Sequence, residues 1–170
     1  MKNENCKFAA GRPGQFAIVN LQSQVMKIDH LGIAVRSLAD SVGFYEGILG
    51  LGVSSKETVH DQGVTVAILP VGDSRIELLE PLSDDSAVGR FIARRGEGLH
   101  HICYEVDDLH SKLEEITSRG VILLEGYPRR GAEGKLVAFL HPASANGVLV
   151  ELVEKTQVVE KTQENGRSFE

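Results

Sequence analysis

The sequence predicts an α+β fold made of two βαβββ modules related by a pseudo-twofold axis, forming a curved mixed sheet around a central cleft. Three observations carry this reading. First, a segment of alternating apolar residues, then one of helical spacing, then further alternating segments occur in that order twice between residues 26 and 155. Second, landmarks recur at a fixed offset: His101 follows His30, Val106 follows Val35 and Leu109 follows Leu38 by 71 residues, whereas Glu151 follows Glu77 by 74. The larger last offset places a three-residue insertion in the second copy. Third, 170 residues suit either one ordinary domain or two half-size modules that share a core, and internal repetition of this kind favours the second.

Taken in order, residues 29–35 read as a strand, with Ser37 as the N-cap of a helix whose apolar positions Leu38, Val42, Tyr45 and Leu49 fall at helical spacing. Gly50 and Gly52 stop it. Strands are expected at 53–57, 64–69 and 76–79, the last two joined by a turn at Gly72-Asp73 and the last ended by Pro81. This gives a first module over 26–82. A charged linker spans 83–97, with a helix over 86–94. The second module covers 98–155: a strand at 100–106, a helix capped by Asp107 or Asp108 and closed by Gly120, then strands at 121–124, 136–141 and 148–153. Residues 1–25 lack periodicity and read as an N-terminal extension, either a leader or a weak transit peptide. Residues 156–170 read as a polar C-terminal tail.

Composition narrows the function. Apolar residues at 42% and charged residues at 25% are the balance of a globular protein, and no apolar run approaches the roughly 18 residues that cross a bilayer. A net charge of −6 without a long Lys/Arg cluster argues against nucleic acid as a partner, though a local basic loop can still hold a small anion. Cys6 and Cys103 have no metal-type spacing and form no disulfide framework, so the compartment is read as reducing, cytoplasmic unless the extension is a mitochondrial transit peptide.

Each module offers one histidine near the start of its first strand and one glutamate in its last: His30 and Glu77, then His101 and Glu151. Strand alternation sets His30 with Gly32 and Ala34 on one face, and His101 opposite Ile102, Tyr104 and Val106. Both glutamates sit in otherwise apolar strands, where an unpaired carboxylate is expensive. Any one of the four alone reads more readily as a satisfied core residue. Two imidazoles and two carboxylates at equivalent points of a repeat instead point to one divalent ion held by mixed N/O ligands with positions open to substrate. His100 falls on the opposite strand face and is assigned to packing or to supporting a ligand. His60, His110 and His141 have no repeat mate and read as surface or loop residues.

Four segments also resemble a known family. Ile28-Asp29-His30-Leu31-Gly32-Ile33-Ala34-Val35, Ile76-Glu77-Leu78-Leu79-Glu80-Pro81, Gly96-Glu97-Gly98-Leu99-His100-His101-Ile102, and Phe139-Leu140-His141-Pro142 with Gly147-Val148-Leu149-Val150-Glu151-Leu152 are similar to the methylmalonyl-CoA epimerases of the vicinal-oxygen-chelate superfamily, which also holds glyoxalase I. The resemblance covers about 26–155. It implies a metal in the cleft, Co2+ first with Mn2+, Ni2+ or Zn2+ as alternatives, and interconversion of the two C2 epimers of methylmalonyl-CoA by a homodimer. It carries His30, Glu77, His101 and Glu151 over as metal ligands; the internal repeat, which relates Glu151 to Glu77, makes those two the candidate acid/base pair. In relatives with Gln at the second ligand position, a further acid follows a Gln-Gly-Val segment; here Gln62-Gly63-Val64 leads to Val66, so that base is absent and Glu57 or a bound water becomes the alternative. The loop Arg129-Arg130-Gly131-Ala132-Glu133-Gly134-Lys135 matches a Gly-rich loop of the family, which makes Arg129, Arg130, Gly131 and Lys135 candidate contacts for a carboxylate or for part of CoA. A glyoxalase-type lyase or isomerase, and a metal-independent small-ligand binding module, are the competing readings.

Overall fold

The computed structural model describes residues 26–156; the expected N-terminal extension, and the C-terminal tail beyond Thr156, lie outside them. The elements in chain order are β1 (Lys27–Ala34), α1 (Leu38–Gly47), β2 (Ser55–Val59), β3 (Val64–Val71), β4 (Ser74–Pro81), α2 (Ala87–Arg95), β5 (Gly98–Val106), α3 (Leu109–Ser118), β6 (Arg129–Arg130), β7 (Leu136–Leu140) and β8 (Val150–Glu154). All eight strands form one sheet in the order β2-β3-β4-β1-β5-β8-β7-β6. Within each half the first strand pairs in parallel with the last, β1 with β4 and β5 with β8, and the halves meet where β1 runs antiparallel to β5.

The caps follow the sequence. Ser37 Oγ accepts from the Asp40 backbone N–H, Ser86 Oγ from that of Gly89 and Asp108 Oδ1 from that of Ser111. Helix α1 stops at Gly47, before Leu49, because Leu51 and Val53 fold back to pack with Leu38 and Leu78; this also shifts β2 to begin at Ser55, two residues later than expected. The strand expected at 121–124 does not form. Val121 donates to the Ile116 carbonyl and Ile122 to Ser144 Oγ, which leaves a single bridge from Leu123 to Leu140, and the short β6 takes the edge position.

Sheet register locates the insertion. Ile68 pairs with Glu77 and Phe139 with Glu151. Phe139 still follows Ile68 by 71, so the three extra residues lie in the β7–β8 connection, 141–149, where the first module has only a tight turn at Gly72.

Strand alternation sorts the core into layers. Ala67, Leu69 and Leu78 turn to the helix face and pack with Val35 and Leu38, while Leu109 and Leu113 of α3 pack with Ala138 and Leu152 in the second module. On the other face Val64, Val66, Ile68 and Leu79 receive Val88 and Ile92 of α2, so the linker helix covers one side of the cleft. The sheet curls into a half-barrel: the Glu133 N–H, in the turn between β6 and β7, donates to Glu57 of β2 at 2.9 Å, although those strands lie at opposite ends of the sheet order.

Candidate metal centre

The pseudo-twofold passes between Leu31 and Ile102, which face one another across β1 and β5. On either side His30 pairs with Cys103 and Gly32 with His101, two pairings that the 71-residue offset exchanges. One strand further out, Gly32 pairs with Glu77 and Cys103 with Glu151. The repeat therefore sets all four expected ligands around one point, each with 4–5% of its surface exposed.

Three of them converge. His30 Nε2 lies 3.1 Å from His101 Nε2, and Glu151 Oε2 lies 3.2 Å from the first and 2.9 Å from the second. Glu77 stands apart: its Oε1 accepts from Arg75 Nε at 3.0 Å and approaches the opposite ring nitrogen of His30, Nδ1, at 3.6 Å. Arg75 also contacts Asp29 at 2.7 Å and Glu133 at 3.3 Å. Sequence reasoning missed Arg75. Its signal was available, because a glutamate buried in an apolar strand needs a cation and Arg75 lies two residues earlier on the same face.

Two bulges orient the histidines. Pairing of β1 with β5 skips once between Ile28 and His30 and once between Gly32 and Ile33, leaving Asp29 and His100 as the additional residues. These positions are also 71 apart. Each bulge turns its residue onto the following histidine: Asp29 Oδ1 lies 2.7 Å from His30 Nδ1, and His100 Nδ1 lies 3.0 Å from His101 Nδ1. The assignment of His100 to the opposite face is thus corrected, since the bulge interrupts the alternation on which it rested. A carboxylate accepts only, so His30 Nδ1 donates to Asp29; both Nε2 atoms point into the cleft.

Electrostatics favour a cation there. Burial works against charge on His30, yet hydrogen bonds to Asp29, Cys103 and Glu151 outweigh it and push the imidazole up to about 12. Burial likewise opposes ionisation of Glu151, but His101 and His30 hold it down to about 2. A buried site that retains a proton this firmly without metal presents the field and the donor set that a divalent ion requires. Cys103 groups with Asp29 and His30 at ligand-like separation, but burial raises its thiol to about 12, so it supplies no thiolate. His100, held down to about 4 by burial and by His101, stays neutral. Gly32 leaves the room for His101, because a Cβ there would overlap the imidazole ring.

The cluster forms the floor of a cavity of about 110 Å3 whose walls include Val66, Tyr127, Arg129, Lys135, Val137 and Phe139. Arg129 stacks on Tyr127 at 4.5 Å, and its buried Nε has no hydrogen-bond partner among the described residues. Of the other loop residues expected at the substrate, Lys135 lines the cavity while bonding Glu133 at 2.9 Å. Arg130 turns away to the Gly134 carbonyl, and Gly131 packs against Val137 and Gln62. Val66 presents only an apolar wall where an acid was sought, and Glu57 holds the Glu133 turn. His60, His110 and His141 are exposed, as their lack of a repeat mate suggested.

Residues 29–139 match the glyoxalase/bleomycin resistance protein/dioxygenase superfamily. The chain belongs to that superfamily and, within it, to the methylmalonyl-CoA epimerase family. It is 40% identical to a mitochondrial methylmalonyl-CoA epimerase of Dictyostelium discoideum over 76% of this chain and 78% of the relative. It is 39% identical to an ethylmalonyl-CoA/methylmalonyl-CoA epimerase of Cereibacter sphaeroides over 74% of this chain and 96% of the relative. Among solved structures, a Streptomyces coelicolor methylmalonyl-CoA epimerase variant in complex with 2-nitronate-propionyl-CoA superimposes with a TM-score of 0.73 at 41% identity, covering 77% of this chain and 98% of that one. No helix of the described residues is long and apolar enough to cross a membrane.

Proposed function

We propose that the chain is a metal-dependent epimerase that interconverts the two C2 epimers of methylmalonyl-CoA, with one divalent ion held by His30, Glu77, His101 and Glu151. The observation that carries this reading is the convergence of His30 Nε2, His101 Nε2 and Glu151 Oε2 beneath a small cavity whose wall holds the unpartnered Arg129 Nε. Glu77, which pairs with Arg75 at 3.0 Å, would complete the ligand set by giving up that pairing. Hard oxygen and borderline nitrogen donors suit Co2+, with Mn2+, Ni2+ and Zn2+ as alternatives. The relatives' activity, and a fold shared with an epimerase that holds a CoA-linked analogue, support the same substrate here.

The α-hydrogen of a thioester is weakly acidic, and its removal drives charge onto the carbonyl oxygen. A divalent ion held by His30, Glu77, His101 and Glu151 would supply positive charge to offset it. The chain's own groups do the rest. Arg129 pairs with the free carboxylate of the substrate and, with the apolar walls at Val66 and Val137, fixes C2 in the cavity. Glu151 on β8 and Glu77 on β4 stand on opposite sides of the β1–β5 pair, so one serves each face of C2, taking the proton on one side and returning it on the other. The enzyme acts as a homodimer in the cytoplasm, or in the mitochondrial matrix if the N-terminal extension is a transit peptide.

The roles of the two glutamates are separable. In Glu77→Gln, which keeps an oxygen donor, deuterium wash-in from one epimer is lost while metal is retained and wash-in from the other persists; Glu151→Gln shows the reverse preference. Unchanged exchange from both epimers in Glu77→Gln removes that residue as a base.

A further inference from the structure

The pseudo-twofold that relates the four ligands breaks at Arg75. The offset of 74 that carries Glu77 to Glu151 carries Arg75 to Leu149, so the second module has no cation at this place. The two glutamates differ accordingly: Glu151 turns Oε2 onto both imidazoles, whereas Glu77 turns Oε1 onto the arginine. The guanidinium, which also lines the cavity, gives a different nitrogen to each of three carboxylates: Nε to Glu77 at 3.0 Å, Nη2 to Asp29 at 2.7 Å and Nη1 to Glu133 at 3.3 Å. A planar fork holds three anions in fixed directions, which the point charge of a lysine does not.

The three partners come from separate parts of the chain. Asp29 and Glu77 belong to the metal centre, and Glu133 belongs to the turn that follows Arg129. Of the ion pairs that Lys and Arg make among the described residues, Arg75 with Glu133 alone joins the two modules. It does so across the open side of the half-barrel, beside the bond from the Glu133 N–H to Glu57. Glu133 has a φ of 54°, in the left-handed region that favours glycine, and Gly134 follows it there at 67°. A glutamate at such a position bears a conformational cost, and its side chain supplies what glycine would not: Oε2 reaches Arg75 and, at 2.9 Å, Lys135.

We infer that Arg75 is a positioning residue with two effects: it competes with the metal ion for Glu77, and it latches the 129–135 turn, and with it Arg129, over the cavity above the metal centre. The first effect rests on the ligand set proposed above; the second does not. A carboxylate already bonded to a guanidinium is less available to another cation, so His30, His101 and Glu151 form the firm part of the site and Glu77 the yielding part. The nitrogens given to Asp29 and Glu133 are not the one given to Glu77. Release of Nε therefore leaves the latch in place.

Two measurements on the full chain need no substrate: Co2+ affinity by chelator competition, and amide exchange of residues 129–135 by hydrogen–deuterium exchange mass spectrometry. R75Q binds Co2+ about tenfold more tightly, because Glu77 loses its competing cation, and its 129–135 amides exchange faster. E133Q speeds that exchange equally but keeps the wild-type Co2+ affinity. KM for methylmalonyl-CoA rises about fivefold in each, the worth of one part-exposed ion pair, and R75Q/E133Q adds no further rise because both changes remove the same contact. R75K shifts both readouts in the same directions by less, and serves if melting curves show that R75Q does not fold. Weaker Co2+ binding in the folded variant would make Arg75 merely structural and overturn the competition; unchanged exchange would overturn the latch. A wild-type chain that binds no Co2+ fails the metal-centre reading instead, and the exchange comparison then decides the latch alone.

Discussion

Asp29 Oδ1 reaches His30 Nδ1 at 2.7 Å, and His100, the residue that occupies the same bulge in the second module, reaches His101 Nδ1 at 3.0 Å. One device, an additional residue in a strand, orients both imidazoles, but one copy uses an anion and the other a neutral ring. Partners of this kind fix ring orientation and raise ligand basicity. Asp29→Asn keeps an accepting oxygen and removes the charge, so divalent-metal affinity falls by about tenfold or more in chelator competition. His100→Ala weakens binding less and broadens the visible spectrum of the cobalt-loaded protein as His101 gains freedom. Wild-type affinity in Asp29→Asn would show that the contact is only structural.

Gly32 is predicted to be as sensitive as a ligand. Gly32→Ala places a methyl group where the His101 ring lies, and the ring must leave. Metal affinity and activity fall together by at least about tenfold, while the strand, extended at this position, still folds. A variant that binds metal normally would mean that His101 has other room.

Without metal, stability should peak near pH 6.5. His100 is held down to about 4 against 6.5 in the unfolded chain, so as pH drops between those values the unfolded state takes up a proton that the folded state refuses, and stability falls. Glu151, held at about 2 against 4.5, contributes stability that is present above 4.5 and lost toward 2. His30 acts in the other direction: raised from 6.5 to about 12, it contributes below 6.5 and loses that contribution as pH climbs. Urea unfolding across pH 3–9 with a chelator present measures the profile. His100→Gln should flatten it between 6.5 and 4 and leave the more acidic loss in place.

Much of this site was legible because a repeat writes itself twice. The offset of 71 singled out His30 with His101, and the offset of 74 singled out Glu77 with Glu151, before any pairing was known. Ser37, and Asp107 or Asp108, announced α1 and α3 as caps, and the structure selects Asp108; Ser86, read as the first residue of its helix, is that helix's cap. What escaped depended on long-range register. Alternation assigned His100 to the wrong face because a bulge leaves no mark in apolar periodicity, and Arg75, just outside the strand expected at 76–79, gained its meaning only from Asp29 and Glu133, which the fold brings around it. Apolar 121–124 looked like a strand, but Val121 and Ile122 donate outside the sheet and only Leu124 donates into it, to the Phe139 carbonyl of β7.

One divalent ion at His30, Glu77, His101 and Glu151 is what lets this chain exchange the C2 proton of methylmalonyl-CoA. Proton NMR in deuterated water measures it directly, using one epimer as substrate and protein that is metal-free, cobalt-loaded, or cobalt-loaded with His101→Ala. Loss of the C2 proton signal and appearance of the second epimer only with the cobalt-loaded wild-type chain is the predicted result. Equal exchange by the demonstrably metal-free protein, or by the His101→Ala variant, would contradict it.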